Sequence, residues 1–469
     1  MFKFKKLSKD SGVSKVNNSL VEKGAVGFKD FSKYVSMNIL GLLAFNCYIL
    51  ADTFFVANGI GLDALTALNL ALPVFGFING FGMMFGMGGA TRLAVLRAKG
   101  ENSDKPFFHS LILAVLLGVI FVLIGAFATE KLAVMMGATG NILPLTVTYM
   151  QVLLYFSPAF FINNVVMCYT RNDGAPVLAM IALATGSLSN VLLDYIFIMP
   201  LGMGMFGAIL ATGLAPIISL AILSVHWISR KSNVKIKPCK LEPKMFGSIL
   251  SLGFFSFVSE ISNGITILLF NLVILSIAGD IGIAAYGIVA NIFLVALGFF
   301  NGVSQGMQPL VSKCYGSKDT KQMKKLYKYG VATALIIAVV IYVLVATLAE
   351  PIIGIFNKEN NAELIEIATL GMMIYFVSLI FSSFNIVTAG FFGATEKSGK
   401  AFLISVLRGL VCVIPLLYLM SYLLGMTGVW LSLPIAEAMV FVVSLTLVLL
   451  FLKKLKTNEN SIDINCKNV

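Results

Sequence analysis

RKSNVKIKPCKLEPKMF, residues 230–246, is the longest polar stretch in the interior of the chain, and it separates two sets of long apolar blocks. Apolar runs bounded by charges or by Gly, Pro and Asn predict spans near 34–57, 64–94, 108–129, 143–170, 177–199 and 204–228 before it. A second set is expected after it, near 247–278, 282–312, 329–349, 363–392, 401–423 and 428–452. Each block exceeds the roughly 20 apolar residues that cross a bilayer as a helix. The reading is an all-α integral membrane protein with twelve transmembrane helices in two pseudo-symmetric six-helix bundles. Its parts are a cytoplasmic tail (1–33), a first bundle (34–229), the linker (230–246), a second bundle (247–452) and a cytoplasmic tail (453–469) taken as disordered.

Composition supports this and removes whole classes of function. Of 469 residues, 58% are hydrophobic and 12% charged, and the mean hydropathy is +0.93. Soluble domains hold about 25% charged residues. The net charge of +12 does not point to nucleic acid, because the cations sort by membrane side. Of 34 Lys and Arg, 31 fall in the tails, the linker and the connections expected on one face, Arg171 among them; Lys131 and Lys358 fall on the other, and Arg408 lies inside a span. The positive-inside rule then puts both termini in the cytoplasm and the spans in the plasma (inner) membrane. The first 33 residues carry eight lysines and no apolar core, so they are read as a solvated tail rather than a secretory signal.

Six scattered cysteines without C-x-x-C and two histidines give no transition-metal or haem pattern. H-E-x-x-H, the phosphate loop and G-x-S-x-G are absent. Neither an enzyme nor a bound cofactor is expected.

The halves repeat. GMMFGMGGATRLAVLRAKGE (82–101) matches GFFNGVSQGMQPLVSKCYGSKD (298–319) at an offset of 216, aligning Gly82, Gly86 and Gly100 with Gly298, Gly302 and Gly316. YFSPAFFINNVVMCYTRNDGAP mirrors YFVSLIFSSFNIVTAGFFGATEK, and LGMGMFGAILA mirrors LLGMTGVWLSL. Two parallel six-helix repeats related by an axis along the membrane normal place a substrate path between them.

A charge in hydrocarbon costs at least about 2.5 kcal/mol, so polar residues inside the spans are functional candidates. They are Asp52, Asp194, Glu260, Arg408 and Glu437, with amides including Asn46, Asn79, Asn163, Asn164, Asn190, Asn301, Gln305, Gln308 and Asn385. Asn190 and Asp194, four apart, share a helix face. Asp52 lies about 27 Å along the first span at 1.5 Å per residue, level with Asp194, and Ala208 and Thr212 enter at the same depth. Two carboxylates, an amide, a hydroxyl and the Ala208 carbonyl make an oxygen-only set. From Asp52, Asn190, Asp194 and Thr212 it suits a hard cation, and equally a carried proton. The second half aligns Val411 and Pro415 with Asn190 and Asp194, and places Leu268 to Phe270 near Asp52, so one such site is expected per chain. Glu260 near mid-span, with Asn163, Asn164, Asn301, Gln305 and Arg408, is read as lining a substrate cavity. Methionines and phenylalanines would add adaptable walls. Arg408, two turns from Lys400, is expected to snorkel or else to pair with Glu260 or Glu437. Six prolines inside spans, Pro73 and Pro415 among them, allow kinks.

With these residues in view, the chain resembles the multidrug and toxic compound extrusion (MATE) family over about residues 30–452. The resemblance rests on ADTFFVANGIGLDALTALNLALPVF (51–75), on SNVLLDYIFIMPLGMGMFGAILATGLA (189–215) and on the two glycine-rich stretches ending AKGE and YGSKD. It implies a monomeric twelve-helix antiporter that exports cationic, lipophilic or amphipathic small molecules as sodium ions or protons move inward, with membrane lipid as its other partner. The spacing of Asn190, Asp194, Ala208 and Thr212, with Asp52, reproduces the family's sodium site. The first span lacks the proline many relatives bend at, and the tenth lacks the acid that some use for a second site. A lipid-linked precursor flippase of similar architecture would want a larger cationic cavity, and a membrane transferase would want clustered acids.

Overall fold

The computed structural model describes residues 27–467 except 102–103, 230–231, 236 and 357–360. Its regular structure is helical throughout. Spans one to six are Phe28–Gly59, Leu62–Ala98, Lys105–Phe127, Ile142–Asn172, Pro176–Ile198 and Gly204–Ile228, with a short helix, Thr129–Met135, between the third and fourth. The seventh and eighth are Pro243–Gly279 and Ile281–Gly316, and the ninth begins at Thr320. The tenth is bent by 46° between Ala362–Tyr375 and Ser378–Ala394. The helical stretch Ser398–Leu455 has 58 residues, about 87 Å at 1.5 Å per residue, far more than a ~30 Å hydrocarbon core. It breaks at Gly425, whose φ of +57° is left-handed, and so supplies the eleventh and twelfth spans. Gly279, with φ +59°, makes the equivalent sharp turn between the seventh and eighth. The segment after Lys453, read as disordered, instead continues the last helix to Lys467. Lys358 lies outside the described residues.

The outer surface is apolar, as lipid requires. Leu116, Val119, Ile120 and Leu123 on the third span, and Ile336, Val340, Val343 and Leu344 on the ninth, form helical stripes that are about half exposed or more. The interior is where small residues let backbones approach. The second span is buried almost continuously from Met84 to Leu96, and a Cβ on Gly88 would stand 2.8 Å from the backbone nitrogen of Gly253.

These close approaches carry the two-fold relation. First-span Val35, Ile39 and Asn46 face eighth-span Gly306, Gly302 and Gly298; seventh-span Ile249, Gly253 and Glu260 face second-span Gly88, Met84 and Gly80. The first-to-seventh offset is 214 at all three positions and the second-to-eighth offset is 218. The offset of 216 read from the glycines is therefore off by two residues. Gly80, Gly82, Gly86 and Gly88 repeat so closely that a match of glycines alone does not fix the register. By the interface register, Glu260 occupies the place of Asn46, and Thr266, not Leu268 to Phe270, occupies that of Asp52.

The linker is fastened to the first bundle. Asp173, its side chain fully buried, accepts from Arg97 (2.8 Å), the Ser232 hydroxyl (2.9 Å) and the Asn233 backbone N–H (2.8 Å), and meets His226 Nε2 at 2.9 Å. Burial alone would raise this carboxyl, but the bonds from His226 and Arg97 outweigh it and hold it below the usual carboxylate range. The Trp227 indole donates to the Val234 carbonyl at 3.1 Å.

Candidate functional site

Two polar loci emerge, one between the bundles and one inside the first. The locus between them is a cavity of about 240 Å³. Met37, Met83, Met167, Met180, Phe45 and Phe75 contribute adaptable walls. Seven asparagines and Gln305 line it, and among the described residues its only ionisable lining residues are Glu260 and Arg171. Glu260 accepts from Asn79 at 3.3 Å, and Asn79 in turn accepts from Asn164 at 3.1 Å, so a chain of amides aims the acid into the space. Asn301 and Gln305 line the cavity as expected.

Two expected cavity residues do not line it. Asn163 is buried away from the cavity, because consecutive helical residues point about 100° apart and only Asn164 faces inward. Arg408 does not snorkel. Its Nε and Nη2 donate to Glu437 Oε1 at 3.1 and 2.9 Å, deep in the second bundle and beside a smaller pocket. Glu437 Oε2 accepts from Asn385 at 2.7 Å.

Arg171 was missed. It ends the fourth span and reads in sequence as a cytoplasmic loop cation, yet it is only 4% exposed. Its Nη1 donates to Asn38 Oδ1 (2.6 Å) and, across the bundle interface, to Gln305 Oε1 (2.7 Å). The same end is tied by Arg92 to Glu396 at 2.8 Å and by Gln308 Nε2 to Thr91 at 2.5 Å. These ties, and the glycine contacts above, run from the basic end of the molecule to Asn46 and Leu294 (3.2 Å).

Within the first bundle, Asp52, Asn190, Asp194, Ala208 and Thr212 are all buried. Small residues bring their helices together: a Cβ on Gly186 would stand 3.0 Å from the Ala215 carbonyl, and one on Gly213 2.6 Å from the Phe156 ring. The carboxyl groups of Asp52 and Asp194 are in hydrogen-bonding contact. Asn190 sits between Asp194 and Thr212. With its nitrogen toward Asp194 it donates to Oδ2 at 3.1 Å, and its oxygen accepts from the Thr212 N–H at 3.1 Å. Turned over, it donates to the Thr212 hydroxyl at 3.3 Å and sets its oxygen against the carboxylate. Tyr149, unforeseen from sequence, lies near Thr212 and both acids, and Tyr48 stands beside both acids. Ala208 lies one turn before Thr212, with no recorded contact from its carbonyl to the acids among the described residues. Asp52 Oδ1 and Asp194 Oδ1 are buried without a partner. Two carboxyl groups this close disfavour ionisation of both, and each keeps a buried oxygen able to accept.

The MatE family model matches residues 38–196 and 254–419, one stretch in each half. The chain belongs to the MatE family. Among curated MatE-like relatives, the multidrug export protein MepA of Staphylococcus saprophyticus is 28% identical over 442 residues, 93% of this chain and 97% of that one. MepA of Staphylococcus aureus strain MRSA252 is 27% identical, over 93% and 96% of the two chains. A solved multidrug resistance MATE transporter in an outward-facing conformation superimposes with a TM-score of 0.86 at 26% identity, covering 92% of this chain and 96% of the other. Membership makes this chain a multi-pass membrane transporter.

Proposed function

We propose that this chain is a cation-coupled multidrug antiporter. It exports lipophilic cations through the cavity between its bundles while sodium ions or protons move inward through the first bundle. The observation that carries the reading is the pair of partnerless buried oxygens on Asp52 and Asp194. A sodium ion there would take Asp52, Asp194, the Asn190 oxygen, the Thr212 hydroxyl and the Ala208 carbonyl; a proton would be shared by the two carboxyl groups. Substrate would meet Glu260 and the surrounding Met and Phe side chains. Ion and substrate need not compete at one place; they must bias one conformational equilibrium in opposite directions.

Both termini lie in the cytoplasm and the protein acts as a monomer in the inner membrane on this reading. The basic, tied end of the interface then faces inward, and the cavity opens outward. The test is export of a fluorescent lipophilic cation from proteoliposomes, first under a sodium gradient at fixed pH and then under a pH gradient without sodium. At least one gradient drives export against concentration, and Glu260→Gln weakens substrate affinity with coupling retained. Equal transport with and without either gradient would refute antiport.

A further inference from the structure

The cavity is charged at two levels, and only one of the charges suits a cation. Arg171 is a buried guanidinium whose recorded partners are all neutral: Asn38 Oδ1, Gln305 Oε1 and, through Nη2 at 3.1 Å, Cys168 Sγ. Among the described residues no carboxylate stands within 4 Å of it. Buried arginines ordinarily have an anionic partner, because a charge removed from water is costly without one. Here the guanidinium instead faces the cavity. Three of its five N–H groups are used by those bonds, two on Nη1 and one on Nη2. That leaves Nε–H and the second Nη2–H as free donors for a ligand.

The fourth span carries both ends of this arrangement. Asn164, the start of the amide chain that orients Glu260, lies seven residues before Arg171, so the two charges stand at different heights of one cavity. We propose that Arg171 is an anion subsite at the floor of the substrate cavity, so that the transporter accepts zwitterions with an ammonium at Glu260 and a carboxylate at Arg171. This rests on the cation reading of Glu260 but assigns a second charge requirement that the reading does not contain. The neutral amides around Arg171 hold it in place without cancelling its charge, which remains available to a ligand.

The test uses a fluorescent aryl amine carrying a carboxylate, its methyl ester and its decarboxylated analogue. On the purified wild-type protein in detergent, at a pH where the carboxylate is ionised, the acid binds about tenfold more tightly than the ester. In proteoliposomes Arg171→Gln lowers the ratio of zwitterion transport to decarboxylated-cation transport at least tenfold, while Arg171→Lys restores part of that ratio. An ester that binds as well as the acid overturns the proposal. So does a parallel fall for both substrates in Arg171→Gln, which would make Arg171 a brace between Asn38 and Gln305, and so does no fall at all. Should the wild type move the zwitterion but not the cation, the cation reading fails while the Arg171 subsite stands.

Discussion

The two bundles answer the same problem, buried carboxylates in a membrane, in opposite ways. In the second, Glu437 is closed: Arg408 donates twice to Oε1 and Asn385 donates to Oε2. The guanidinium is a resident cation that does not lose its proton in proteins. In the first, Asp52 and Asp194 touch each other and each retains an unpartnered buried oxygen. No arginine or lysine is hydrogen-bonded to either acid among the described residues. One bundle thus contains its counter-ion, and on the proposed reading the other takes it from solution. Exchange with solution is what a coupling ion needs, which is why the proposal places coupling in the first bundle. Thr266, which takes the place of Asp52 in the second bundle, hydrogen-bonds the Gly409 carbonyl at 3.1 Å and contributes no charge.

The largest effect should come from removing the exchangeable charge. Asp194→Asn and Asp52→Asn each leave one carboxyl without the pair that holds a cation, and are expected to lower gradient-driven transport at least a hundredfold, about 2.7 kcal/mol. Thermal stability should hold or rise, because one buried charge has gone. Measured on proteoliposomes with matched protein content, near-wild-type driven transport by either variant would break the comparison.

The second bundle should respond the other way. Arg408→Met strands Glu437, and losing one member of a buried pair costs about 3–5 kcal/mol. The double variant Arg408→Met, Glu437→Leu should recover most of that, since a buried ion pair and an apolar replacement are often near neutral. Detergent-solubilised melting curves read the stability; ion dependence of transport should be unchanged in the double variant. If coupling disappears there with stability restored, the resident cation has a role in transport and the bundles are not so different.

Much of this contrast was legible in the residue order. Asp52, Asn190, Asp194 and Thr212 were found because a helical face and a depth can be computed from spacing, and lipid makes each polar residue conspicuous. The twelve spans followed from the same argument. Partners across distant spans were not legible. Tyr149 comes near Thr212 from the fourth span, and nothing in the residue order links those two positions. Arg171 was hidden by its place at a span end, where cations normally reach water; only the packing of Asn38 and Gln305 around it encloses it. Arg408 was left open between snorkelling and a pair with Glu260 or Glu437 for a related reason: a long side chain near a helix end can turn either way, and Glu437, 29 residues later, decides it. Asn163 and Asn164 are neighbours that point to different surroundings, a distinction that needs the helix rotation and not the sequence.

Smaller changes sharpen the contrast. Asn385→Leu removes one donor from Glu437 but leaves the Arg408 bonds, so it should cost about 1–3 kcal/mol of stability without altering ion affinity. Thr212→Val, in the first bundle, should do the reverse: loss of one neutral oxygen should weaken the coupling ion by about tenfold, near 1.4 kcal/mol, with little change in melting temperature.

Tyr149→Phe should give the smallest shift. The Tyr149 hydroxyl lies near Thr212, so its loss deletes at most one neutral hydrogen bond, worth about 0.5–1.5 kcal/mol. If that bond merely helps pack the fourth span against the sixth, the cost appears in the melting curve and ion affinity is unchanged. If it orients the Thr212 hydroxyl toward the acids, ion affinity falls by about threefold while the melt moves little, and Tyr149→Phe adds nothing to Thr212→Val because both act through one oxygen. The double-variant cycle separates these outcomes, and additive losses would remove Tyr149 from the first-bundle site.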